Sequence, residues 1–318
     1  MKNRISFVLC VLGLALFMGA AAHAADRKFA IGAVVADFKT PFQARLKLAL
    51  ERYAKEMGVD IDVRDGKSDP TTQTAVIENF ITQKKDFLII VPAQVGTLVP
   101  AVLKCNDVGI PVITINRTLG EGAKVLTHVG ADEYIGGQMQ GEMLVAMLGQ
   151  KGNIVLEQGT LGSSPQVLRE QGMEDYLKEK APGIKIVAKQ NTDWDPAKAV
   201  NVTQNFLTKY PAGQIDGIVT QGPDCSMAAA RVVEMEGRSE LKGKNIGFDL
   251  PQGVIDGIKD GSLFGSVLQD PAEQSRMALV VAMSVLNGEK KLEDIPENTY
   301  IQLINITKAN VDNYEAAW

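Results

Sequence analysis

Histidine and cysteine are nearly absent: 318 residues contain two histidines and three cysteines. His23 and Cys10 lie within the first 24 residues, which leaves His128, Cys105 and Cys225 for the rest of the chain. With no Cys-x-x-Cys pair and no second histidine, a zinc site or a histidine-based hydrolase has almost nothing to be built from. Phosphate-cradling loops are missing too. Gly66-Lys67-Ser68 looks like the end of one, but Ile61 stands where its first glycine belongs. Basic charge is not in surplus either, since 33 basic residues face 38 acidic ones. That balance keeps a protein soluble and argues against a nucleic-acid partner. No metal and no cofactor is expected.

The amino terminus is the most legible segment. Lys2 and Arg4 precede an apolar stretch over residues 5–18, broken only by Ser6, and Ala22-His23-Ala24 follows. Positive charge, apolar core and small residues in that order predict a signal peptide over residues 1–24, cleaved near Ala24. The stretch is marginal for spanning ~30 Å of hydrocarbon. Cys10, followed by Val11 and Leu12, sits too deep in the apolar core to mark a lipoprotein cleavage site. The mature chain is expected in the periplasm. Loss of residues 1–24 removes two basic and no acidic residues, moving the net charge from −5 to about −7. About 290 residues remain, enough for two hydrophobic cores.

From there on, short β-branched runs alternate with amphipathic stretches. Strands are expected at residues 29–36, 59–65, 87–91 and 111–115, with helices at 41–57, 71–83 and 95–107. Apolar runs such as Leu88-Ile89-Ile90-Val91 suit strands buried on both faces. The pattern then restarts. Helices are expected at 135–148, 166–180, 196–208 and 226–236, and strands at 153–157, 184–190, 215–220 and 245–248. This predicts an α/β fold of two doubly wound parallel-sheet lobes.

A further strand at 263–268, a helix at 272–287 and a final strand at 299–304 exceed what the second lobe needs. The chain is therefore expected to return to the first lobe, which makes a three-crossover hinge. The lobes would be 25–130 plus 271–301, and 131–270 plus 302–318. A cleft should face the carboxyl ends of both sheets, where ligands of such sheets bind. Cys105 and Cys225 would fall in different lobes as separate buried thiols.

Several phrases in this order carry a resemblance. They are Pro41-Phe42, residues 109–117 ending in Asn116-Arg117, Arg169-Glu170-Gln171-Gly172, Asp193-Trp194-Asp195, Ile246-Gly247-Phe248-Asp249 and Val267-Leu268-Gln269. Over nearly its whole mature length the chain resembles periplasmic binding proteins of the ribose, galactose and inositol type, whose fold LacI-type repressors share. The resemblance implies a type I binding-protein fold, no enzymatic activity and a monosaccharide or sugar alcohol held between the lobes for an ABC permease. A monomer is expected.

The resemblance also implies site residues. Asn116 and Arg117 would grip hydroxyls after the fourth strand, and Arg169 would donate from the second lobe. A guanidinium is a planar fork of donors suited to vicinal hydroxyl oxygens. Asp249 would accept hydroxyl protons, and Gln269 would complete the polar set. Phe42 and Trp194 would pack on the C–H faces of the ligand. Each has an ordinary alternative: strand-end cap, surface arginine, packing anchor or, for Asp249, helix N-cap. Ribose binders have Asp at position 116 and a second Phe at 43, where this chain has Asn116 and Gln43. Thr40 replaces a usual Asn or Asp, and Gly222-Pro223 replaces a second-lobe asparagine. Asn116 together with Trp194 is closer to galactose- or inositol-type sites.

Two other classes compete. A transcription regulator would need a DNA-binding module ahead of Phe29, where the signal peptide stands. A sensory adaptor presenting sugar to a chemoreceptor or sensor kinase would use the same cleft, and neighbouring genes would separate it from a transport role.

Overall fold

The computed structural model describes residues 28–318, and the expected signal peptide lies outside the described residues. The first lobe begins β1 (Ala30–Val35), α1 (Pro41–Glu56), β2 (Asp60–Asp65), α2 (Pro70–Thr82), β3 (Phe87–Ile90), α3 (Val99–Asp107), β4 (Val112–Ile115) and β5 (His128–Gly130). The second follows with α4 (Glu133–Leu148), β6 (Lys151–Gln158), α5 (Ser164–Lys180), β7 (Gly183–Asn191), α6 (Pro196–Lys209), β8 (Gly217–Thr220) and α7 (Pro223–Met235). Then come β9 (Asn245–Phe248), α8 (Gln252–Asp260), β10 (Gly265–Leu268), α9 (Pro271–Leu286), β11 (Asn298–Tyr300) and β12 (Ile304–Thr307).

The helices start where local chemistry tells them to. Asp69-Pro70, Asp195-Pro196 and Asp270-Pro271 each open one: the carboxylate accepts the first free N–H groups, and proline needs no partner there. Alternation along the strands then sorts the cores. Ile31, Ala33, Val35, Ile89 and Ile113 face one side of the first sheet, while Val34, Leu88, Ile90 and Val112 face the other. Both sides are buried, as doubly wound sheets require.

The strand orders are β11-β5-β4-β3-β1-β2 and β12-β10-β9-β8-β6-β7. The described pairings are parallel except β10 with β12. The chain passes between lobes after β5, after β10 and between β11 and β12, giving the three-crossover hinge of a type I binding-protein fold. α9 returns against α1, with Ser275 Oγ donating to the Leu46 carbonyl at 3.2 Å.

Three expectations need correction. Residues 299–304 are not one strand: β11 pairs with β5 in the first sheet, and β12 pairs with β10 in the second. The β-branched pattern runs on unbroken through the crossing, so nothing in it marks the change of sheet. The helix expected from Val95 starts at Val99, because Gly96 has a φ of 86°, which no right-handed helix contains, while the Val95 N–H donates across the cleft to Gly162 O at 3.1 Å. Finally, β5 and α8 were not anticipated, and both are short. Cys105 on α3 and Cys225 on α7 are free and buried, one in each lobe.

Candidate ligand-binding site

Between the lobes lies a cavity of about 460 Å³, counting its open mouth, and all seven residues expected at the site line it. Asn116 and Arg117 follow β4, Asp249 follows β9 and Gln269 follows β10, so these four stand at carboxyl ends of strands. Phe42 comes from the first turn of α1, Arg169 from α5 and Trp194 from the β7–α6 corner. Thr40, Gln43, Pro165, Gly222, Pro223 and Asp224 complete the wall.

Backbone geometry singles out three of these positions. Asn116, Trp194 and Asp249 have φ of 64°, 57° and 71°. Asn and Asp visit this left-handed region readily, but a bulky residue does so only when its surroundings hold it there. Trp194 is held firmly. Its indole N–H donates to Gln221 O at 3.1 Å. A Cβ on Gly159 would stand 2.1 Å from the indole ring, and one on Gly222 would stand 2.5 Å away.

The polar groups form a connected set. Arg169 Nε donates to Glu133 Oε2 at 2.6 Å, Nη1 donates to Gln221 O at 2.8 Å, and the guanidinium lies 3.4 Å from the Phe248 ring centroid. Arg117 stacks 4.8 Å from the Trp194 ring centroid. Burial lowers Arg117 to about 10, with Arg169 acting the same way and Asp37 and Glu133 opposing, so it stays charged at neutral pH. Burial raises Asp249 to about 7, against the pull of Arg169 and a hydrogen bond from Gln269. Gln43 Nε2 donates to Asn116 Oδ1 at 2.9 Å. This leaves the Asn116 amide nitrogen as its free group.

Three buried atoms on the wall have no protein partner: Gln43 Oε1, Arg117 Nε and Asp249 Oδ1. Buried polar atoms are nearly always paired, so these three call for partners that the protein itself does not supply. Phe42 is buried and meets Trp318 edge to face at 5.7 Å, so it also packs the wall.

Contacts made by protein groups alone join the lobes across the cleft. Besides Val95 to Gly162 and Arg117 over Trp194, the Thr118 N–H donates to Ser164 Oγ at 2.8 Å. The cleft is thus in a closed arrangement.

Sequence reasoning missed Gln43 as a wall residue, treating it only as a departure from ribose binders. It also missed Gln221, which holds Trp194 and Arg169 through its carbonyl and ties down Gly159 N through Oε1 at 2.8 Å. Glu133 behind Arg169 was missed as well. No local pattern marks a buried glutamine or glutamate whose partner lies dozens of residues away.

Comparison with known proteins agrees with this architecture. The family described as "Periplasmic binding protein domain" matches residues 31–290. The chain is 32% identical over 282 residues to a xylitol-binding protein of Mycolicibacterium smegmatis, covering 89% of this chain and 78% of that protein. It is 30% identical to the ribose import binding protein of Bacillus subtilis, covering 83% and 84% of the two chains. The Caulobacter myo-inositol binding protein bound to myo-inositol superposes with a TM-score of 0.84 at 26% identity, covering 90% and 95% of the chains. Two hinged parallel-sheet lobes closing on a polar cavity, and a match spanning most of the sequence, have one reading: the chain is a binding protein, not an enzyme, and belongs to the periplasmic binding protein family.

Proposed function

We propose that this protein captures an uncharged monosaccharide or sugar alcohol between its lobes and delivers it to an ABC permease. One observation carries the reading: donors, acceptors and two aromatic faces from both lobes converge on one cavity with three buried polar atoms left unpaired. Hydroxyl groups donate and accept at once, so a polyol can meet Arg117 Nε, Gln43 Oε1 and Asp249 Oδ1 together. Phe42 and Trp194 suit its C–H surface. The xylitol, ribose and myo-inositol named for the relatives are all uncharged and rich in hydroxyls.

The seven residues Phe42, Asn116, Arg117, Arg169, Trp194, Asp249 and Gln269 are proposed as ligand contacts, with Gln43 added. The lobes are placed at 25–130 plus 271–301 and at 131–270 plus 302–318. Export to the periplasm, cleavage near Ala24 and a monomeric state belong to the same reading. A thermal-shift screen of the mature chain against pentoses, hexoses, inositols and linear polyols tests it. A saturating ligand should raise the midpoint by roughly 5 °C or more. Response only to charged or peptide ligands would refute it.

A further inference from the structure

Beneath the cleft floor sits a carboxylate that a ligand does not reach. Glu133 opens α4, is 3% exposed and is not part of the cavity wall. Its Oε2 accepts from Arg169 Nε, and its Oε1 has no partner. The helices carrying this pair are locked together. A Cβ on Gly137 would stand 2.0 Å from the Arg169 carbonyl oxygen, and one on Gly172 would stand 2.0 Å from the Tyr134 carbonyl oxygen. The glycines let α4 and α5 approach this closely, which brings the Glu133 carboxylate within 2.6 Å of the guanidinium that it orients.

Glu133 also acts through space. Its charge is felt by Arg117 on the opposite lobe and by Asp249 on its own lobe. The charged groups around the cavity are Arg117 and Arg169 against Asp224 and Asp249 on the wall, with Glu133 and Asp37 behind it. Burial biases Asp249 and Asp224 toward their neutral forms, and it is Glu133 that meets the Arg169 guanidinium, at 2.6 Å.

We propose that Glu133 is the residue that sets the charge class of the ligand: it aims Arg169 and cancels its charge, so the cleft accepts uncharged polyols and rejects the corresponding sugar acids. An acid would bring a carboxylate to an Arg169 that is already compensated, and it would face Glu133 across that guanidinium. Without Glu133, Arg169 carries an uncompensated buried charge that a ligand carboxylate can neutralise. The inference rests on the sugar and polyol reading above.

Calorimetry on the full mature chain with matched pairs tests it: xylitol against xylonate, ribose against ribonate, and glucose against glucuronate. Glu133→Gln should weaken the neutral ligand about tenfold and strengthen its acid at least tenfold relative to wild type. Glu133→Asp keeps the charge but shortens the reach, so it should weaken the neutral ligand and still reject the acid. Adding Arg169→Gln to Glu133→Gln removes the orphaned buried charge, restoring stability if the single variant folds poorly, and should abolish the gain in acid affinity. A Glu133→Gln chain that folds but gains no acid affinity overturns the inference and leaves the polyol reading standing. A wild-type chain that prefers the acid overturns that reading as well as the inference.

Discussion

Glu157 offers the sharpest test of the lobe-two core, because its effect on stability can be worked out before any measurement. It lies on β6, fully buried, and burial raises its carboxyl from an ordinary 4.5 to about 8, against a hydrogen bond from Thr203. The geometry agrees. Thr203 Oγ1 is 2.5 Å from Glu157 Oε1 and 2.8 Å from Ala199 O, and one hydroxyl proton cannot serve both. The network balances when Glu157 carries a proton and donates it to Thr203. Because the folded value lies above the unfolded one, the stabilisation is complete below pH 4.5 and is lost as pH rises through 8. At about 1.4 kcal/mol per pH unit, the loss between pH 5 and 8 is roughly 4 kcal/mol. Glu157→Gln supplies an amide N–H in place of the acid proton and does not titrate. Its stability relative to wild type should therefore be near zero at pH 5 and climb by roughly that amount at pH 8. Urea unfolding followed by circular dichroism at several pH values measures the difference. Subtracting the chains also cancels His128, which burial holds down to about 4 and which opposes the trend below pH 6.5. A difference that stays flat between pH 5 and 8 would refute the protonated assignment.

Three predictions concern the cleft. Trp194→Ala should weaken ligand binding at least tenfold in calorimetry while the far-ultraviolet spectrum stays native; unchanged affinity removes the indole from the site. Asp249 is held near 7 in the free cleft, and ligand hydroxyls favour its charged form. Binding near pH 7 should therefore release a fraction of a proton, seen as an enthalpy that depends on the buffer, and affinity should fall as pH drops toward 5, by at most tenfold per unit. Asp249→Asn should show neither effect, and a proton release retained in that variant would assign it elsewhere. Ser164→Ala removes the acceptor of the Thr118 N–H. It should lower affinity about three- to tenfold in calorimetry; an identical affinity would mean that this bond does not help hold the lobes shut.

The parts legible in the sequence were those whose signal is local. Leu88-Ile89-Ile90-Val91 reads as a doubly buried strand because every second side chain meets a different core. Asp195-Pro196 and Asp270-Pro271 announce helix starts because cap and proline act within one turn. The seven cleft residues were named from the family resemblance, which could place them because most stand directly after strands or near helix starts that are themselves legible. Long-range partnerships left no such trace. Glu133 meets Arg169 36 residues away, and Gln43 meets Asn116 73 residues away. The split at residues 298–307 was hidden because strand pattern reports burial, not which sheet provides it. α8 was obscured by Gly253 and Gly257, which weaken helix propensity, although Val254, Ile255 and Ile258 bury one face.

Closure of the lobes follows from two opposed sets of groups. Val95 to Gly162, Thr118 to Ser164 and Arg117 over Trp194 use protein groups alone, so they favour closure with or without a guest. Against them, closing seals Gln43 Oε1, Arg117 Nε and Asp249 Oδ1 away from water without partners. Each such atom costs about 1–3 kcal/mol, while each neutral hydrogen bond gained contributes about 1 kcal/mol. An empty cleft is therefore balanced toward opening. A ligand that pairs all three atoms removes the penalty in the closed form only, and this difference between states is what lets binding drive closure. A few kcal/mol of relief shifts the open and closed populations by about two to three orders of magnitude. On this account, selectivity lies with the sealed atoms: a guest that fills the cavity but leaves Asp249 Oδ1 or Arg117 Nε unpaired can enter the open cleft without closing it.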